Sequence, residues 1–76
     1  MPENTVMPLK QWRNIKGLNQ KQLAERSGVS EKSIGLYERD VRVLQNAQYS
    51  TIKKLSIALD IKVSNIFLGD TSENPK

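Results

Sequence analysis

The stretch Gln20–Tyr37, QKQLAERSGVSEKSIGLY, constrains this chain more than any other, because a helix stop and a helix start stand side by side within it. Asn19 can cap a helix that begins at Gln20, since its side-chain oxygen accepts from a free backbone N–H. Leu23 and Ala24 lie three and four residues further on and face inward together. The small Ala24 lets a second helix cross close by. Gly28 ends the first helix, because a residue without Cβ enters the left-handed region at little cost. Val29 is an apolar anchor inside the turn, Ser30 caps the next helix, and Ile34 and Tyr37 give that helix an inner face. The spacing predicts two short helices joined by a glycine turn.

Seventy-six residues make one domain. A chain this short buries only about 60% of its unfolded surface, so dimer formation would add useful stability. Cysteine and histidine are both absent, which removes disulfides, thiolate metal sites and the commonest general base. The eight carboxylates show no calcium-loop spacing. No metal or cofactor is implied. The serines and lysines form no paired nucleophile and base, and no glycine-rich phosphate loop is present, so an enzyme is not expected. Apolar runs reach only a few residues, far below the ~20 of a bilayer span, and a soluble cytoplasmic protein is expected.

The pattern along the chain predicts an all-α fold, a compact bundle of five short helices over residues 7–69, with helices 2 and 3 as the helix-turn-helix. A disordered arm is expected over 1–6 and a disordered tail over 70–76. Helix 1 runs from about Pro8 to Lys16, with Leu9 and Trp12 inward; Gly17 ends it and Leu18 plugs the core. Helix 2 covers Gln20–Ser27 and helix 3 Glu31–Arg39. Asp40 to Gln48 reads as a loop, with Asp40 as a left-handed end to helix 3. Helix 4 covers about Ser50–Leu59, capped by Ser50, with Ile52, Leu55 and Leu59 at helical spacing. A short helix 5, Ser64–Leu68, turns Ile66 and Phe67 inward before Gly69 stops it.

The net charge is +4, and all of the excess lies between Lys10 and Arg42; outside that segment the charges balance. A basic stripe there suits a polyanion, although a solvated helix surface is the commoner meaning of such a run. The residues 17–39, GLNQKQLAERSGVSEKSIGLYER, resemble the small Cro- and phage-repressor-like helix-turn-helix domains, the XRE type. The likeness extends from about Leu9 to Phe67 and rests on the ordered set Ala24, Gly28, Val29 and Ile34. It implies double-stranded DNA as the partner, with helix 3 in the major groove. Gln20 is similar to a family glutamine that bonds phosphate, and Arg13 with Glu38 to a family ion pair that turns the arginine toward phosphate. A surface salt bridge is the plainer reading of that pair. Where the family usually has glycine this chain has Asp40, and the following loop is longer.

On a helical wheel, Lys32, Gly35, Leu36 and Arg39 fall opposite Ile34 and Tyr37, with Glu31 flanking them. These are the base-contacting candidates Glu31, Lys32, Gly35 and Leu36. Lys32 can donate to guanine O6 and N7, or to a phosphate. Leu36 can meet a thymine methyl, and Glu31 can accept from cytosine N4 or simply complement the helix dipole. Gly35 costs roughly 1 kcal/mol against alanine in a helix interior, which close approach of DNA would offset. The phosphate candidates are Arg13, Gln20, Lys21, Arg39 and Arg42. Ser33 can hydrogen-bond DNA or merely sit beside Tyr37, the second being the preferred reading, and Trp12 belongs to the core. One such helix reads only a few base pairs, so a homodimer on a palindromic operator is expected, paired through Ile15, Ile57, Val43 or Leu44. The leading expectation is a small repressor. An antitoxin that binds a toxin protein and autoregulates through the same motif is the alternative, and an interaction module without DNA binding is the third.

Overall fold

The computed structural model describes residues 4–69. Pro8 stands as the N-cap of α1, Leu9–Ile15, where its missing N–H is no loss. There follow α2, Gln20–Ser27; α3, Glu31–Arg39; α4, Val41–Gln45; and α5, Tyr49–Ala58. A single 3₁₀ turn, Val63–Asn65, comes after them. The fold is all-α, and the described residues hold five α-helices and no sheet beyond one isolated parallel bridge between Met7 and Ile66. Leu23 of α2, Ile34 of α3 and Leu55 of α5 are fully buried, and Trp12, Leu44 and Leu59 close around them. Each leucine or isoleucine so placed contributes about 1.5–3 kcal/mol through the area removed from water.

Asn65 ties the two ends of the described chain together. Its carbonyl accepts from the Met7 N–H at 3.0 Å and from the Trp12 indole Nε1–H at 2.7 Å. Its side-chain Nδ2 donates to the Thr5 carbonyl at 2.8 Å, and its Oδ1 accepts from the Lys62 N–H at 2.9 Å. The Phe67 N–H donates to the Met7 carbonyl at 2.9 Å and completes the bridge. The arm expected over 1–6 is thus held at its inner end. Residues 1–3 and the tail 70–76 lie outside the described residues.

Several expectations change. The segment Asp40–Gln48 is not a loop: Asp40 is extended (φ −142, ψ 108), and its carboxylate caps α4 by accepting from the Arg42 N–H at 2.9 Å. Leu44 then turns inward from α4 and is 1% exposed, so it is core and not a pairing residue. The left-handed aspartate is Asp60 (φ 57), which follows α5, and not Asp40. At the start of α5 the N-cap is Gln48, without a side-chain bond, and Ser50 lies inside the helix. The fifth expected helix, Ser64–Leu68, is only the 3₁₀ turn, after which Ile66 is extended. Successive side chains of an extended strand point opposite ways, so Ile66 is buried while Phe67 is 38% exposed.

Candidate nucleic-acid interface

The α2–turn–α3 unit forms as its caps dictate. Asn19 Oδ1 accepts from the Gln22 N–H at 2.7 Å, and Gln22 Oε1 accepts from the Asn19 N–H at 2.8 Å, a reciprocal capping box. Gly28 takes the left-handed conformation at φ 78, and its N–H donates to the Ala24 carbonyl. Val29 is buried in the turn. Ser30 Oγ accepts from the Ser33 N–H at 3.0 Å and opens α3. The Ser33 hydroxyl accepts from the Ser30 hydroxyl at 2.9 Å.

With Ile34 anchored in the core, the opposite side of α3 is turned outward. Glu31, Lys32, Leu36 and Arg39 are exposed and Gly35 is half-buried. These residues, with Gln20 from α2, line one open groove. All four base-contacting candidates and two of the phosphate candidates are therefore together. Leu36, 39% exposed, offers an apolar patch in an otherwise polar setting. No residue of α4 lines this groove. Lys21 is exposed on α2 outside it.

Beneath the groove lies a buried polar network. Arg13 Nε donates to Glu38 Oε2 at 2.6 Å, and Arg13 NH2 donates to Glu38 Oε1 at 3.1 Å. The third nitrogen, NH1, donates to the Leu18 carbonyl at 2.7 Å. Gln20 Nε2 donates to Glu38 Oε1 at 3.0 Å. The Arg13 and Glu38 side chains are 10% and 4% exposed, so this is no surface salt bridge. The hydrogen bond to Glu38 holds the Arg13 pKa above its ordinary value against the opposing effect of burial. Three of the five Arg13 N–H donors are committed inside the protein, where they hold Glu38 and, through it, the Gln20 amide.

Arg42 is fully outward on α4, but its guanidinium rests on Asp40, at 3.2 Å through Nε and 3.3 Å through NH2. Arg42's hydrogen bonds hold the Asp40 carboxyl below the usual carboxylate range, and Asp40 raises the Arg42 pKa in turn. A phosphate at Arg42 would compete with that carboxylate. Sequence reading did not single out Lys10 as a contact, yet Lys10 of α1 lines a cleft with Gln20, Gly35, Glu38 and Arg39.

Among the described residues no contact requires glycine at position 35. A Cβ built there would lie 3.9 Å from Gln20 Oε1 and 4.0 Å from Gln20 Nε2, an ordinary contact that strains nothing. Gly35→Ala is therefore expected to stabilise the protein by about 0.5–1 kcal/mol, the usual helix-interior difference. It should also weaken duplex binding, because the new methyl stands against the Gln20 amide. Urea unfolding and a duplex titration check the two halves; unchanged binding would show that the open wall beside Gln20 is unused.

Among the described residues no group of His, Cys, Asp or Glu is arranged to hold a metal ion, and no helix is long and apolar enough to cross a membrane. A helix-turn-helix family model matches residues 9–66. No curated protein matches the chain, and no solved structure does.

Proposed function

The chain belongs to the Cro- and repressor-type (XRE) helix-turn-helix family of DNA-binding transcription regulators, and from that premise we propose that it is a small sequence-specific repressor that binds a palindromic operator as a homodimer. The observation that supports this most directly is the single groove lined by Gln20, Glu31, Lys32, Gly35, Leu36 and Arg39. Its α3 residues combine donors, an acceptor and an apolar surface on one exposed helix face, the mixture that base edges in a major groove demand. In this reading Lys32, Leu36, Gly35 and Glu31 face bases, whereas Gln20, Lys21, Arg39 and Arg42 hold phosphates. Arg13 acts from below by fixing Glu38 and Gln20.

A second copy is required because one such helix spans only a few base pairs. Ile57, 67% exposed on α5, and the exposed Ile15 and Val43 support a pairing surface.

Selection of bound sites from random duplexes tests the proposal. The expected outcome is a two-fold symmetric sequence with half-sites about 34–36 Å apart, one helical turn. Within that site Lys32→Ala should relax preference at one or two base pairs by about 1–3 kcal/mol, whereas Gln20→Ala should weaken all sequences alike. Equal losses for Lys32→Ala on matched and scrambled duplexes would remove its base-reading role, and an enriched pool without symmetry would remove the dimer.

A further inference from the structure

We infer that Lys10 of α1 and Arg39 of α3 form the two jaws of a clamp for one phosphodiester of the DNA backbone, with the Gln20 amide between them. The inference rests on the duplex-binding reading and adds to it a contact from α1, outside the helix-turn-helix. The two cations come from helices far apart in sequence and line the same cleft with Gln20, Gly35 and Glu38. Lys10 and Arg39 are both exposed. Among the described residues neither side chain has an ion-pair or hydrogen-bond partner. The one anion in the cleft cannot neutralise them. Glu38 is buried, Oε2 accepts from Arg13, and Oε1 accepts from both Arg13 and Gln20. Two unpaired like charges on one cleft repel each other, and an anion seated between them relieves that repulsion. Gln20 adds a neutral donor there, because only one hydrogen of Nε2 is committed to Glu38. Gly35 lines the cleft without a side chain.

The salt dependence of duplex affinity reads the contact directly, since each phosphate neutralised contributes about 0.9 to the slope of log affinity against log salt. Lys10→Ala should reduce the magnitude of the slope by about 0.9 for each bound subunit, on selected and scrambled duplexes alike. Lys54→Ala removes the same charge from an exposed site on α5 and should leave the slope unchanged. Thermal melting of both variants controls for folding. Inorganic phosphate at the same ionic strength separates the two sources of the anion: a backbone-specific clamp is not displaced more by phosphate than by chloride, whereas a free-phosphate site is. A wild-type slope in Lys10→Ala, or equal losses in both variants, overturns the clamp and leaves the DNA reading standing. Preferential displacement by phosphate also overturns it. Absence of any salt-dependent duplex binding by the unmodified protein sinks the DNA reading itself.

Discussion

Glu38→Ala is expected to lose about 3–5 kcal/mol of stability, because it strands a buried guanidinium. In the native protein Arg13 gives Nε and NH2 to Glu38, and the pair is nine-tenths buried. Removing the carboxylate leaves both donors without their acceptor in a buried site, and Gln20 Nε2 loses its acceptor as well. Folded domains hold only about 0.05–0.15 kcal/mol per residue, so the loss approaches the whole stability of a protein this small. At about 4–8 °C per kcal/mol, the melting point should fall by at least about 12 °C. A fall of only a degree or two would mean that the pair behaves as an exposed salt bridge.

The double variant Arg13→Met with Glu38→Leu separates loss of charge pairing from loss of packing. Replacing both members of a buried pair with apolar groups is often neutral or stabilising, so most of the melting point should return. Duplex affinity should not return with it, since nothing then orients the Gln20 amide. Recovery of both would show that the network serves stability alone.

The helix-turn-helix was legible because its signals are local. Asn19, Gly28 and Ser30 each act on the backbone within four residues of themselves, and each does so in the structure. The outer face of α3 followed from the helical period once Ile34 was placed inward. What escaped depends on partners distant in sequence or on a choice between two local meanings. Asp40 was compatible with ending α3 or with starting α4, and it does both: its N–H donates to the Leu36 carbonyl and its carboxylate accepts from the Arg42 N–H. The Asp cap followed by Val41 and Leu44 at i, i+3 spacing was the available signal for α4. It is weak in a helix of five residues, too short to show a period. Trp12 was readable as core, but its indole acceptor lies 53 residues away at the Asn65 carbonyl. Burial of Arg13 could not be read from the segment that holds it, since the pocket is made by Glu38 and the Leu18 carbonyl.

Duplex affinity is expected to fall steeply with salt, with a slope of log affinity against log salt of about −5 to −7 for the dimer. In the proposed dimer Lys21, Arg39 and Arg42 would supply three charged contacts in each subunit, and Lys10 would be the fourth if the clamp forms. Doubling for two subunits gives about 6–8 phosphates neutralised, and each returns condensed counterions to solution on binding. Between 50 and 200 mM salt the affinity should therefore drop by roughly 10³–10⁴-fold. A monomer would show about half that slope, so one titration series reports stoichiometry as well as electrostatics. Arg42 sets the direction of any shortfall. Its guanidinium must leave the Asp40 carboxylate to meet a phosphate, and a contact exchanged for an internal ion pair releases fewer counterions. Asp40→Asn frees Arg42 of its ion pair and should steepen the slope, with an equivalent cap kept on α4. A slope near zero in the unmodified protein would mean that the basic excess between Lys10 and Arg42 is ordinary solvated surface, and the reading of α3 as a DNA-facing helix would go with it.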